Sequence, residues 1–317
     1  MPYNPSFIQG HTIPLPEVSN TDLLAPLRND NGTVLNYHHH SVVMNKKRRF
    51  AFYSASNIDG ETWEPIERSG KFLKDDNMDH KYQLGDELYD AIGGGGRKND
   101  FDEGHLTSFQ EVLWGKDPED SERAGADTFY FSNCVPQHSL LNRGAWKSLE
   151  QYVTKKGANN NDIAVCVFSG PLFRPNDPYF IEKVDGHYIQ IPCIFWKIIY
   201  YRRNGKLNAV GFMMSHEQLL LDEGTVTFEK SEVKDKGIED EDIFMAFPKA
   251  TTYQVRVELI RELTKLNFHL SGVNLPYTTN DKKEIVYKRI DIIKNKDLEE
   301  VDFKDAPLDY RLDGIEL

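Results

Sequence analysis

The chain has 317 residues, of which 39% are hydrophobic, 12% aromatic and 28% charged, a balance that excludes a disordered or collagen-like chain and is enough for a full hydrophobic core. Its formal net charge of -12 argues against a protein that coats nucleic acid through bulk electrostatics, because that binding is driven by lysine and arginine displacing counterions. It does not argue against an enzyme with a local basic groove and a bound cation.

Cys134, Cys166 and Cys193 have neither metal-like nor redox-like spacing, so no disulfide framework is expected. Met1-Pro2-Tyr3-Asn4-Pro5 lacks a basic region followed by an apolar one, and no run approaches about 18 apolar residues. The expectation is a cytoplasmic chain with no export signal and no membrane span.

Residues 1–37 are rich in Pro, Asn, Asp and Thr without periodicity. They read as an irregular arm or strap, with ordered structure starting near Tyr37. Adjacent histidines on a strand point to opposite faces, so His38-His39-His40 read as a strand start and not as metal ligands. The run from Ser41 to Ser56 holds two β-type stretches around Lys46-Lys47-Arg48-Arg49 and predicts a hairpin. Its basic turn is either a solvated face or the edge of a nucleic-acid groove. Residues 70–100 are charged and loop-like. The glycine run 93–96 lacks the preceding strand and following helix that a phosphate-cradling loop needs, and reads as a flexible connection.

Thr128 to Ser132 reads as a strand, and Trp146, Leu149 and Val153 recur at helical spacing, predicting a helix over about 143–156. The apolar, β-branched runs 163–169, 191–201 and 209–214 predict central strands, with turns at Gly170-Pro171 and Arg203-Asn204-Gly205. Residues 252–266 read as a helix with Val255, Leu259 and Leu263 on one face. Past about 275 the chain is charged, and its acidic tail over 297–317 reads as a solvated extension or a mask for a basic groove.

Hydrolysing a phosphodiester takes a base to activate water, a cation to absorb charge on the phosphorane and leaving oxygen, and positive groups to hold the phosphate. One short region offers all but the last. His105 follows Phe101-Asp102-Glu103-Gly104, then comes Ser132-Asn133-Cys134-Val135-Pro136-Gln137, and Asn142 stands just before the helix that carries Glu150. Histidine is mostly neutral near pH 7 and can take a proton from water. An asparagine carbonyl is a hard oxygen ligand suited to magnesium, and a carboxylate two turns onward can hydrogen-bond the waters that magnesium keeps. Cys134 has no base-plus-orienter pair and reads as packing.

The wording of this region resembles the DNA/RNA non-specific endonuclease family, the ββα-metal nucleases. The family signature is D-R-G-H, then S-N-x-x-P-Q, then Asn with a Trp and Leu-Glu on the following helix. Here stand F-D-E-G-H-L from Phe101, D-T-F-Y-F-S-N-C-V-P-Q-H from Asp127 and L-N-R-G-A-W-K-S-L-E-Q-Y-V from Leu141. The segments Arg48 to Tyr53, Val167 to Phe173, Ile191 to Lys197 and Ala209 to Ser215 extend the resemblance over about 37–270.

The resemblance implies an α+β fold: a mixed, mainly antiparallel sheet flanked by helices, with a ββα-metal active-site element. The divisions are an arm (1–37), a nuclease domain (38–272) and a charged C-terminal extension (273–317). It implies an endonuclease acting on DNA, RNA or both with little sequence specificity, with Mg2+ as cofactor and Mn2+ as substitute. Dimers occur in the family, and a nuclease inside its own cell calls for an inhibitor or an activating partner. His105 would be the general base and Asn142 the direct metal ligand. Asn133 would orient the histidine or the phosphate, and Glu150 would hold metal-bound water. Arg48 or Arg49 would stabilise the leaving group, and Arg143 and Lys155 would contact or modulate substrate. Thr154 stands where many members have an arginine.

The larger departure is Glu103 at the arginine position of D-R-G-H. At about 5 Å from a phosphate, reversing a charge costs about 1.6 kcal/mol in water and about 6.6 kcal/mol at an effective dielectric of 20. Three readings stay open: Glu103 points away or pairs with Arg97 or Lys98; it is a further carboxylate near the metal; or it marks an impaired or regulated site, a nucleic-acid-binding module on the same fold.

Overall fold

The computed structural model describes residues 1–29, 32–93, 96, 98–154, 163–228, 252–281, 283–284, 286–289 and 310–313. In chain order its strands are β1 (Glu17–Val18), β2 (Val34–Asn36), β3 (His40–Asn45), β4 (Phe50–Asp59), β5 (Phe101–His105), β6 (Cys134–His138), β7 (Ala164–Leu172), β8 (Tyr179–Phe180), β9 (Ile194–Arg203), β10 (Lys206–Ser215), β11 (Val226–Thr227), β12 (Tyr253–Val255), β13 (Leu266–Asn267), β14 (Lys283–Glu284), β15 (Val286–Arg289) and β16 (Tyr310–Asp313). Eight of them form one antiparallel sheet in the order β14-β12-β10-β9-β7-β4-β3-β2. The expected α+β class, with a large antiparallel sheet and few helices, is the one found.

The sheet is covered on both faces. Along β7, Val165 and Val167 enter one core while Cys166 and Phe168 enter the other, the period of two that a strand imposes. Double burial is why β7, β9 and β10 read as unbroken apolar runs. The first core takes in Leu106, Cys134, Leu141, Trp146 and Leu149 of the candidate site, and the second takes in Tyr3, Ile8 and Ile13 of the arm together with Val257 and Ile260. All three cysteines are buried and free. Between β9 and β10, Asn204 and Gly205 both have positive φ (51° and 74°), the two-residue turn that matches strand twist.

Several sequence expectations are corrected. The arm is packed: Tyr3 Oη donates to the carbonyl of Ile13, β1 pairs with β13, and β2 joins the main sheet before Tyr37. No strand forms over Thr128 to Ser132; a tight turn there follows a helix over Pro118–Asp127. Asp117 as N-cap and Pro118 in the first turn were the signals for that helix. Gly170-Pro171 lies within β7, paired opposite Trp196 and Phe195 of β9, and position 170 is glycine because a side chain there would collide with the Phe52 carbonyl and the Trp196 ring. Residues 252–266 divide into β12 and a helix over Val257–Thr264, since Tyr253 to Val255 pair with β10. The strand-start reading of His38-His39-His40 agrees with the fold: His40 opens β3, and His39 stacks on Trp114 at 3.5 Å and His40 on Tyr37 at 4.8 Å. The helix end beyond 154, Lys155, Gly94, Gly95 and most of the acidic tail lie outside the described residues. Among the described residues no helix is long and apolar enough to cross a membrane.

Candidate active site

Strands β5 and β6 form a separate antiparallel hairpin, with His105 opposite Cys134 and Asp102 opposite Gln137. Helical structure follows directly over Ser139–Leu141 and Lys147–Gln151. The turn between them, Asn142–Trp146, is widened at Gly144 (φ -103°, ψ -109°), a distortion frequent at functional sites. Hairpin and helix rest on the sheet through Leu141, Trp146, Leu149 and Val153. The expected ββα element is present, with its helix starting at Ser139.

Gly104 is required by packing: a Cβ there would meet the Gln137 side chain at 2.4 Å. His105 is buried against Phe72 and Phe129, ring centroids 5.0 and 5.3 Å away. Burial lowers its pKa to about 3, the positive Arg68 pushes the same way, and a hydrogen bond to the backbone of Glu103 opposes both. Its Nε2 has no hydrogen-bond partner. The ring is therefore neutral, with one nitrogen held by the backbone and the other left for a proton.

Asn133 does not touch that ring. Its amide is used up on backbone: Thr107 N–H donates to Oδ1 at 3.0 Å, and Nδ2 donates to the carbonyls of Thr107 (2.9 Å) and Thr128 (3.1 Å). With Leu106 N–H donating to the Asn133 carbonyl, it fixes the chain leaving β5 and so positions His105 through the backbone.

Asn142 Nδ2 donates to Asp102 Oδ2 at 2.9 Å, and Arg143 grips the same carboxylate through Nε at 2.9 Å and an Nη at 2.7 Å. With its NH2 turned to Asp102, the Asn142 amide presents its oxygen on the other side. Arg143 thus acts on Asp102 rather than on a phosphate position. Asp102, the first residue of the D-E-G-H segment, is thus the point where Asn142 and Arg143 converge.

Desolvation raises the Glu150 carboxyl, with Glu111 adding to the rise and Lys197, Ser108 and Trp146 opposing it; its Oε1 has no hydrogen-bond partner. Lys197 is buried, donates to Glu111 Oε1 at 2.8 Å and lies over the Trp146 ring, while Ser56 donates to Glu111 Oε2 at 2.9 Å. Removing one partner of a buried pair strands the other charge. Lys197→Met is expected to lower stability by about 3–5 kcal/mol, and Lys197→Met with Glu111→Leu to recover most of it. Urea unfolding of the single and double variants checks this; equal losses would sink the account.

Arg48 and Arg49 are engaged elsewhere. Arg48 pairs with buried Asp177 at 2.6 Å and donates to the Arg174 carbonyl; Arg49 donates to the Gln83 carbonyl and faces Glu87 and Asp185 at 3.7 and 3.9 Å. The guanidinium whose charge reaches His105 is that of Arg68, in a stretch where no local motif marked it. Thr154 turns its hydroxyl to the Glu150 carbonyl and supplies no charge.

Asp100, His138 and Glu223 also come together, with donor atoms within 4.8 Å of one another. There Nδ1 of His138 accepts the Leu140 N–H, which leaves the proton on Nε2, 2.7 Å from Glu223 Oε1. Both ring nitrogens are satisfied, and the residue caps the helix.

The family model of the DNA/RNA non-specific endonucleases matches residues 24–274. The chain is 39% identical over 197 residues to the uncharacterized protein y4fB of Sinorhizobium fredii, covering 60% of this chain and 28% of that one. It is 32% identical over 138 residues to mitochondrial endonuclease G of Homo sapiens, 42% of this chain and 41% of that one. The nuclease of Serratia marcescens is 32% identical over 79 residues, 25% of this chain and 29% of that one. The chain therefore matches less than half the length of each of these curated relatives. A solved structure of EndoG in complex with its inhibitor EndoGI superposes with a TM-score of 0.51 at 18% identity, covering 76% of this chain and 89% of that one, and shares its fold. With the family model covering seven of the eight sheet strands, the hairpin, His105 and Asn142 in one continuous match, this chain belongs to the DNA/RNA non-specific endonuclease family.

Proposed function

We propose that the chain is a metal-dependent endonuclease that hydrolyses phosphodiesters in DNA or RNA with little sequence preference. The observation that carries it is the pairing, on one hairpin-and-helix unit, of a neutral His105 having an unpartnered Nε2 with an Asn142 amide whose orientation is set by Asp102. An amide oxygen and the desolvated Glu150 Oε1 are hard donors that fit magnesium, with manganese as a substitute. Asn142 would hold the ion and Glu150 its waters. When bound, the ion absorbs negative charge at the scissile phosphate and leaving oxygen. His105 Nε2 takes the proton of the attacking water, Asn133 keeps the base in place, and Arg68 is the cation for the phosphate. Arg48 and Arg49 are not assigned to the leaving group.

Plasmid and RNA incubated with Mg2+, with Mn2+ and with chelator test this. Cleavage is expected only with the ions. Asn142→Ala and Asp102→Ala are expected to weaken metal affinity by about tenfold to a hundredfold, read from the metal dependence of the rate. Cleavage undiminished by chelator would overturn the metal role. The second reading, a catalytically weak nucleic-acid-binding module, draws on Glu103 and on the burial of His105; retained binding without turnover in any divalent ion would favour it. Restraint by an inhibitor covering the site, or assembly as a homodimer, completes the proposal. Light scattering measures the second.

A further inference from the structure

A cleft of about 430 Å³ opens beside His105, lined by Arg68, Lys71, Asp86 and Glu103 over Phe72 and Phe129. Those two phenylalanines touch the His105 ring. If the chain is the nuclease proposed above, the strand being cut passes through this cleft. Arg68 and Lys71 suit its phosphates. Glu103 does not: a carboxylate and a phosphate both only accept hydrogen bonds, and both are anionic.

Of the two pairings that would neutralise Glu103, the one with Lys98 is not made and the one with Arg97 falls outside the described residues. Lys98 pairs with Asp90, and among the described residues the Glu103 carboxylate has no hydrogen-bond or ion-pair partner. Glu103 precedes His105 by two residues on β5, so both project from the same face, roughly 7 Å apart along the strand. A strand with its scissile phosphate at His105 would bring a neighbouring sugar to about this distance. A DNA backbone has no hydrogen-bond donor to offer an acceptor placed there. RNA has one, the ribose 2′-hydroxyl.

We propose that Glu103 accepts a hydrogen bond from the ribose 2′-hydroxyl beside the scissile phosphate and biases this nuclease site toward RNA. The repulsion that Glu103 exerts on phosphate falls on both nucleic acids, whereas only RNA recovers a charge-assisted hydrogen bond in exchange. Discrimination thus combines an attraction to one substrate with a penalty against the other.

The test uses the full chain with one mixed sequence made as RNA, as DNA and as 2′-fluoro RNA, which loses the donor. Initial rates give kcat/KM, with Mg2+ present and chelator as blank. The wild type is expected to favour RNA over DNA by about tenfold to a hundredfold, with 2′-fluoro RNA cut like DNA. Glu103→Ala is expected to bring the RNA-to-DNA ratio close to one, by raising the rate on DNA and lowering that on RNA. Glu103→Gln, which keeps an acceptor oxygen, is expected to retain part of the RNA preference and guards against a folding artefact. Equal cutting of RNA and DNA by the wild type, or a ratio unchanged in Glu103→Ala, overturns the inference and leaves the nuclease reading standing. So does a change confined to the choice between Mg2+ and Mn2+, which would make Glu103 a metal carboxylate. A wild type inert on all three strands, no better than His105→Ala, overturns the nuclease reading itself.

Discussion

His105→Ala is expected to lower kcat by about two to four orders of magnitude, the range that a positioned general base contributes. Within the β5–β6 hairpin the ring carries an unpartnered basic nitrogen, whereas His138 is engaged on both nitrogens and Cys134 is buried. Its pKa of about 3 has a consequence for the pH profile. A base acts when deprotonated, and this ring is deprotonated at every pH well above 3. The rate in the free enzyme should therefore not fall away at the ordinary histidine value of about 6.5. Such a ring is a weak base, and part of its depression comes from Arg68. A phosphate bound by Arg68 offsets that charge and moves the ring toward a useful basicity, so kcat should titrate at a higher pH than kcat/KM. Because His105 packs on Phe72 and Phe129, the variant leaves a hole, and circular dichroism must accompany the kinetics. Partial rescue by free imidazole separates lost chemistry from lost structure. A variant within a factor of ten of wild type would remove His105 from the mechanism.

Acidification is expected to destabilise the protein from about pH 6.5 downward. His39 and His40 are lowered to about 4, and His105 and His216 to about 3, in every case chiefly by burial. Each is neutral in the fold and binds a proton in the unfolded chain at about 6.5. The stability they contribute is complete above 6.5 and is lost as pH falls from there toward the folded values. At pH 5 each has lost about 2 kcal/mol, and four together about 8 kcal/mol, comparable to the whole stability of a domain. Urea midpoints between pH 7 and 5 should fall steeply, with an extra uptake of up to about four protons on unfolding. His216→Asn is expected to flatten that slope. A midpoint independent of pH across this interval would contradict the neutral burial of these rings.

The sequence by itself determined the elements whose signals are local. Apolar runs marked β7, β9 and β10 because both faces of each are buried, Asn204-Gly205 marked its hairpin because both residues take positive φ without strain, and the spacing of Trp146, Leu149 and Val153 marked the helix. The roles proposed for His105, Asn133, Asn142 and Glu150 rest on the resemblance of one segment to the family's motifs, and the fold places that segment on a hairpin followed directly by a helix. The helix over Pro118–Asp127 also carries a local signal, Asp117 as its cap and Pro118 in its first turn.

The tertiary structure decided which charges act together, because ion pairing depends on distances between residues remote in sequence. Arg48 and Arg49 had the right type and a plausible place, yet the fold commits them to Asp177 and Glu87, and Arg68 comes to His105 from a loop without a motif. Asp102 gained a role only once Asn142 and Arg143 were seen to converge on it. Lys197 reads as one charge in an apolar strand until Glu111 is found beneath it. Pairing across the fold is what turns these residue types into a site, and a linear pattern holds no record of it.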